Sequence, residues 1–368
     1  MIKENFSNRN GQVDILKGIA IILMVIGHSG CPTFLHKFIY MFHMPLFFFI
    51  SGYLFKWKYM DVPFMFVLRR VKTCYVPFVK YSLIFLLCHE LFVPLGFFSH
   101  YSILDYERQI EMILLMSKTE LFLGPYWFLI EMLVASFFFV MFVSTILMSL
   151  RLKWVSNHVS LSKPRWIMGG VIFLSVICML FLSLSHIHLP KVSVRTFLAV
   201  FYMALGQCWK MSENKIRISL LSSIIFISVL LLVSILPLSV GSRIDGGMGV
   251  TTVKEISLYL PLSLLGIFGV WRISANIKNN VLLVLERYGK KSFHILTWHF
   301  LLFAIILNAL FLCRCENLPS FEFPIARSRW WFVISILSMS LITGFMFLKD
   351  LLFNKQKKKN ESQTKCCI

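Results

Sequence analysis

Long apolar segments dominate this chain and limit what it can fold into. Ten of them recur along its 368 residues, most of them close to the roughly 20 residues that a helix needs to cross a bilayer. Hydrophobic residues make up 58% of the chain and charged residues only 15%, and the mean hydropathy is +0.76. A soluble domain of this composition would expose too much apolar surface to water. The sequence therefore predicts an all-α fold, a polytopic membrane helix bundle with about ten transmembrane helices.

The predicted spans alternate with polar loops, and several contain the Gly or Pro that membrane helices tolerate. They lie near residues 15–30, 38–56, 76–98, 126–149, 166–186, 195–210, 218–238, 256–272, 292–312 and 330–353. We interpret residues 1–355 as one integral-membrane domain and residues 356–368 as a basic cytoplasmic tail. The longer connections at 99–125 and 239–255 are predicted outside, either as a lid or an acceptor-facing surface or as plain solvated loops.

The net charge of +20 lies in the loops rather than on one basic surface. With the N-terminus placed in the cytoplasm, the segments predicted inside carry 26 Lys and Arg residues and those predicted outside carry 10. This is the positive-inside distribution of a membrane protein, so both termini are predicted to be cytoplasmic. It favours a lipid bilayer as the surrounding partner and disfavours nucleic acid. The nine cysteines show no metal-ligand spacing, so no metal is expected.

The first apolar span contains three ionisable side chains, Asp14, Lys17 and His28. Asp14 and Lys17 are one helical turn apart and Lys17 and His28 are close to three turns apart, so all three share one face. That spacing separates Lys17 from His28 by about 16 Å along the helix axis. Ionisable groups at membrane depth are costly and are therefore functional candidates. The alternatives are a snorkelling Lys17, an Asp14 that only pairs with it, and a structural His28.

Other spans carry polar residues at comparable positions. His43 lies near the outer end of the second span and Glu131 about two turns into the fourth, so both fall at the depth of His28. If these residues face one cavity, a histidine beside a carboxylate is a general-base arrangement. In the ninth span, Ser292 and His299 are about two turns apart and share a face, next to a basic cytoplasmic end.

These segments together resemble the integral-membrane acyltransferase family 3, in particular its fucose 4-O-acetylase-like branch and the bacterial polysaccharide O-acetyltransferases. The first-helix signature of that family, an acidic residue, then Arg or Lys, then His eleven positions on, is similar to DILKGIAIILMVIGH. The second-helix signature is similar to FHMPLFFFISGYLF, and the basic stretch before a proline is similar to RRVKTCYVPF. Two later elements are similar to GPYWFLIEML and RYGKKSFHILTWH. Lys17 stands where many members have Arg, as is usual in the fucose branch.

The resemblance implies an O-acetyltransferase that moves an acetyl group from cytoplasmic acetyl-CoA to a hydroxyl of a cell-surface glycan, such as an O-antigen, or of a lipid-linked sugar. It implies a multi-pass protein of the bacterial cytoplasmic (inner) membrane. The expected catalytic residues are His28, His43 and Glu131, with His28 as general base. The residues expected to bind acetyl-CoA are Asp14, Lys17, Arg69, Arg70, Ser292 and His299.

Alternatives from other functional classes remain open at this point. A proton-coupled transporter or a flippase of a glycan precursor would also place histidines in the membrane, although the sequence shows no internal repeat. A bis-histidine haem protein would use His28 and His43 as axial ligands. Within acyl transfer, the sequence does not decide between direct transfer and a covalent acetyl-His or acetyl-Ser relay.

Overall fold

The computed structural model describes residues 8–118, 120–151, 164–185, 187, 189–213, 215–236, 248–277, 279–315, 321–322, 325–326, 329–346 and 348. In this part of the chain the secondary structure is helical, apart from one antiparallel pair of two-residue strands and one isolated β-bridge. The predicted all-α membrane bundle is confirmed. The domain boundary at residue 355 and the tail at 356–368 lie outside the described residues.

The helices differ widely in length, from one turn to seven. They are α1 (Asn8–His28), α2 (Thr33–Tyr40), α3 (His43–Tyr53), α4 (Pro63–Arg70), α5 (Val76–Leu87), α6 (His89–Phe92), α7 (Ile103–Leu114), α8 (Trp127–Arg151), α9 (Pro164–Ser185), α10 (Val194–Ser212), α11 (Leu220–Ile235), α12 (Val253–Ser274), α13 (Asn279–Lys290), α14 (Ser292–Leu312) and α15 (Trp331–Met346). Short 3₁₀ segments cover Trp57–Met60, Val93–Leu95 and Leu121–Tyr126, a π-helical turn covers Val71–Tyr75, and the strands are β1 (Phe321–Glu322) and β2 (Ile325–Ala326).

Each of the ten predicted spans overlaps a helix, but not all of these helices have the length of a span. Among the described residues, six helical segments are long and apolar enough to cross a membrane, and a bent pair gives a seventh. Of the remaining apolar helices, α11 has only 16 residues and α15 is also shorter than a full span. The count of ten and the cytoplasmic position of both termini stay predictions.

The third predicted span, 76–98, differs most from its helix. A continuous helical segment begins at Pro63 and ends at Leu87, and the chain then bends by 63° into residues 89–95. Pro94 lies in this second arm; it lacks a backbone N–H and disfavours helical geometry at the residue before it. The apolar run therefore continues past the point at which the straight helix stops.

Glycines allow several helices of the bundle to pack in close contact. A Cβ added at Gly18 of α1 would lie 2.0 Å from the carbonyl oxygen of Leu285, and one added at Gly289 would lie 1.8 Å from that of Asp14. Helices α1 and α13 therefore touch backbone to backbone, as small residues allow in membrane bundles. Gly52 of α3 makes the same kind of contact with α10.

The connection between the third and fourth predicted spans is folded rather than an irregular loop. Helix α7 begins with a capping box, in which Ser102 Oγ accepts from the backbone N–H of Asp105 and the Asp105 carboxylate accepts from the N–H of Ser102. Beneath it, His89 is fully buried and stacks on Tyr101 with ring centroids 3.5 Å apart. Its Nδ1 faces a carboxylate oxygen of Glu120 at 3.3 Å. We call residues 88–118 and 120 the cap.

Candidate active site

A cavity of about 380 Å³ opens between α1, α3, the π-helical turn, the start of α8 and the start of α14. Aromatic and aliphatic side chains form most of its wall, among them Phe47, Trp127 and Phe128. Five of the nine residues singled out from the sequence line it, and they come from four separate segments of the chain: Lys17, His28, His43, Arg70 and Ser292.

The polar residues of this cavity lie at its two ends. Helix α1 ends at His28 and α3 begins at His43, and the two histidines meet through Tyr40. Lys17 is eleven residues from His28 along α1, or about 16 Å. Ser51 is eight residues from His43 along α3, or about 12 Å. The chain runs toward the histidines in α1 and away from them in α3, so Ser51 lies toward the same end as Lys17. We therefore distinguish a histidine end from a cationic end.

At the cationic end, two basic side chains face the cavity. Lys17 Nζ lies 3.1 Å from a carboxylate oxygen of Asp14, one turn away, so Asp14 holds the ammonium without lining the cavity itself. Arg70 Nη2 donates to Ser51 Oγ at 2.5 Å, and its buried Nε has no hydrogen-bond partner among the described residues. Ser292 is the first residue of α14, where the positive end of the helix dipole adds to these charges.

At the histidine end, hydrogen bonds orient the imidazole rings. Nδ1 of His28 lies 3.2 Å from the hydroxyl of Tyr40. Nδ1 of His43 lies 2.9 Å from the carbonyl oxygen of Ile39, and the side chain is only 1% exposed. A carbonyl can only accept, so this Nδ1 carries the proton and Nε2 of neutral His43 is an acceptor.

Tyr40 is a site residue that the sequence analysis missed. Its ring lies between two histidines, with centroids 6.0 Å from His28 and 4.8 Å from His43. The backbone carbonyl of Tyr40 accepts from the hydroxyl of Tyr259 at 3.2 Å, which ties α2 to α12. In the sequence, Tyr40 is one aromatic residue in an aromatic-rich run, and only its place at the break between α2 and α3 distinguishes it.

His299 and Ser292, which the sequence put on one helix face, reach different ends of the site. His299 is fully buried beside His28, with ring centroids 5.7 Å apart, and does not line the cavity. Its Nδ1 faces the carbonyl of Ile295 at 2.9 Å, while its buried Nε2 has no partner within the described part of the chain. Ser292 and His299 are seven residues apart, which is about 10 Å along the helix, so they lie at different ends of the site although they share a helix face.

Two other predicted residues lie outside the cavity. Glu131 is buried on the side of α8 that faces α10, where it accepts a hydrogen bond from Thr196 and lies near Arg195. Arg69 hydrogen-bonds to the hydroxyl of Tyr59 and stacks over its ring at 5.2 Å from the centroid. Depth in the membrane follows from sequence position, but the direction of each side chain depends on how the helices rotate against one another.

Comparisons with known proteins give a family and one relative. The family model described as an acyltransferase domain matches residues 10–349 of this chain. The nodulation protein NolL of Sinorhizobium fredii (strain NBRC 101917 / NGR234) is 32% identical over 167 residues, which cover 40% of this chain and 40% of that protein. The chain thus matches less than half the length of that relative. No solved structure matches the chain significantly.

Proposed function

Because the chain belongs to the acyltransferase family whose domain model spans residues 10–349, we propose that it moves an acetyl group from cytoplasmic acetyl-CoA to a sugar hydroxyl. It is a membrane acyltransferase. The proposed acceptor is a cell-surface glycan or a lipid-linked sugar, and the proposed location is the bacterial inner membrane. This acceptor class follows from the resemblance to polysaccharide and fucose O-acetyltransferases.

The observation that carries the proposal is one cavity with two cations at one end and histidines at the other. CoA carries anionic phosphates at one end and its thioester at the tip of a long, thin arm. Lys17 and Arg70 suit the phosphates, because charge-assisted hydrogen bonds to phosphate are among the strongest in proteins. The separation of about 16 Å between Lys17 and His28 leaves room for the arm between them.

His28 acts as the general base in this proposal. If its Nδ1–H donates to the oxygen of Tyr40, Nε2 is the nitrogen that carries the lone pair. His28 then accepts the proton of the sugar hydroxyl as the hydroxyl oxygen bonds to the thioester carbon. When the carbon–sulfur bond breaks, His28 returns that proton to the sulfur, so CoA leaves as a thiol and the imidazole is neutral again.

His43 has a different role, because its tautomer is set by a backbone carbonyl. Nε2 of neutral His43 accepts hydrogen bonds and cannot donate to an oxyanion. We assign it to orienting the sugar hydroxyl toward the thioester. In this proposal Tyr40, rather than Glu131, orients His28. Glu131 does not line the cavity between Lys17 and His28, which we call the donor cavity.

The test is the O-acetyl ester content of the surface polysaccharide, measured by proton NMR. Three strains are compared: one with the native protein, one with His28→Ala and one with neither. We expect acetyl esters only with the native protein. The matched control is His100→Ala, which removes an exposed histidine of the cap and leaves the cavity unchanged.

The outcomes separate the mechanism from the reaction class. Normal acetylation by His28→Ala at equal expression would remove His28 from the chemistry while leaving the acyltransferase in place. An absence of acetyl esters in every strain, together with no release of CoA thiol from acetyl-CoA by purified protein, would overturn the acetyl-CoA donor itself.

A further inference from the structure

The bundle contains a second cavity, of about 330 Å³. It forms between the end of α9, the start of α10 and the residues that precede α12. Its polar wall includes Ser193, Arg195, Thr251 and Thr252, and Leu189 contributes to its apolar wall. It is separate from the donor cavity, with which it shares no lining residue.

One stacked pair connects the two cavities. Arg195, which lines the second cavity, lies over the ring of Trp127 at 4.5 Å from the centroid. Trp127 lines the donor cavity. This stacked pair therefore joins the lining of the donor cavity to the lining of the second cavity.

Arg195 has hydrogen-bonding capacity that the protein does not use. Its buried Nε has no hydrogen-bond partner in the described ranges. Glu131 lies close enough to interact with its charge, and one carboxylate oxygen of Glu131 is also buried without a partner there. Buried polar atoms of this kind are rare in native proteins and call for a ligand or an ordered water.

We propose that the second cavity binds an uncharged, hydroxyl-rich sugar of the acceptor, with Arg195 as a binding residue. The proposal rests on the proposed function and specifies its acceptor. The guanidinium donates to the ring and hydroxyl oxygens of the sugar, and the hydroxyls of Ser193, Thr251 and Thr252 give further polar contacts.

The choice of an uncharged sugar over an anionic one follows from Glu131. Glu131 interacts electrostatically with Arg195, and in its ionised form it offsets the charge of the guanidinium and repels a second anion. A sugar hydroxyl, in contrast, accepts from the guanidinium without adding charge to the cavity. Glu131 thus acts through Arg195, as a specificity-determining residue.

The experiment measures binding without acetyl transfer, so that it does not depend on the proposed reaction. Val192 lines the cavity and is replaced by Cys in the His28→Ala protein, purified in detergent. The rate at which a maleimide alkylates residue 192 is followed by mass spectrometry. The probes are methyl fucoside, which is uncharged, and methyl glucuronoside, which is anionic. Alkylation of the exposed Cys313 in the same molecule is the internal control.

We expect methyl fucoside to slow alkylation at residue 192 in a saturable way and to leave Cys313 unaffected. Arg195→Lys, which keeps the charge but loses the planar set of donors, raises the half-saturating concentration about tenfold. Glu131→Gln, which leaves Arg195 without its neighbouring carboxylate, shifts the preference toward methyl glucuronoside.

Two results would overturn the proposal. If neither sugar protects residue 192 in protein that is monodisperse on gel filtration, the unpartnered atoms are satisfied by water alone. If methyl glucuronoside protects better while Glu131 is intact, the cavity is an anion site. Because no variant here has to transfer acetyl, protection is measured even if the proposed reaction fails its own test.

Discussion

The donor cavity and the cap both bury histidines, but they use them differently. In the cap, both nitrogens of His89 have acceptors, since Nδ1 faces Glu120 at 3.3 Å and Nε2 faces the carbonyl of Ser99 at 3.0 Å. In the donor cavity, His43 has one nitrogen on the carbonyl of Ile39 while its side chain lines open space. His89 therefore stabilises the cap, whereas His43 has a ring nitrogen that can contact a substrate.

This contrast shows that burial alone does not identify a catalytic histidine. His89 and His299 are both 0% exposed and His43 is 1% exposed, so their exposures are indistinguishable. His89 differs from the other two in that the protein satisfies both of its ring nitrogens, and an imidazole engaged on both sides has no site left for proton exchange. His43 differs from His299 in that it lines the donor cavity. The predictions below test that difference.

The largest effect is expected for His28→Gln, which removes the proposed base but keeps a polar side chain beside Tyr40. We expect kcat for acetyl transfer to fall about 10²- to 10⁴-fold, the usual contribution of general-base catalysis. The melting temperature changes by no more than a few degrees, because about one hydrogen bond is altered. Initial rates with acetyl-CoA and thermal unfolding of the same preparation give both values. A loss of activity that follows a loss of folded protein would make His28 structural, like His89.

The opposite pattern is expected for His89→Ala. This change leaves the buried side chain of Glu120 without its hydrogen-bonding partner, which costs about 2 kcal/mol of stability. The activity of each folded molecule stays near the native value, because His89 lies outside the donor cavity. Thermal unfolding and active-site-normalised rates measure the two quantities.

The control for that change is His100→Ala, which breaks an exposed ion pair with Glu90 in the same cap. Exposed pairs contribute little, so no measurable change in melting temperature is expected. If His89→Ala is as harmless as His100→Ala, the buried pair does not stabilise the cap and the contrast between the two histidine environments disappears.

A smaller effect separates two adjacent arginines. Arg70 lines the donor cavity, while Arg69 stacks on Tyr59 outside it. We expect Arg70→Met to raise KM for acetyl-CoA about tenfold, through the loss of a charge-assisted contact to phosphate. Arg69→Met serves as the matched variant and leaves KM within about twofold of the native value. If Arg69→Met and Arg70→Met raise KM equally, positive charge near the cavity determines KM, and the direction of the Arg70 side chain does not.

The sequence predicted the fold better than the site. The length of an apolar segment and the charge of its flanking loops indicate a membrane helix anywhere in the chain. The reason is that the bilayer requires every span to satisfy its own backbone hydrogen bonds. The shared face of Lys17 and His28 could also be predicted, since it depends only on the geometry of one helix. The directions of Glu131 and Arg69 depend on packing between helices, and Tyr40 has its role only because α2 and α3 break beside it.

The smallest effect concerns the cap alone, where burial raises the pKa of Glu120 above its ordinary value of 4.5 and His89 and Lys118 oppose that rise. The folded chain therefore holds this proton at pH values where the unfolded chain has lost it. The stability linked to Glu120 is complete below pH 4.5 and is lost as the pH rises through the raised pKa. Melting temperatures measured across this window should fall with pH in the native protein and fall less in Glu120→Gln. The opposite result would be a melting temperature that rises with pH in the native protein and does not rise in Glu120→Gln. It would mean that attraction by His89 outweighs the cost of burying the carboxylate.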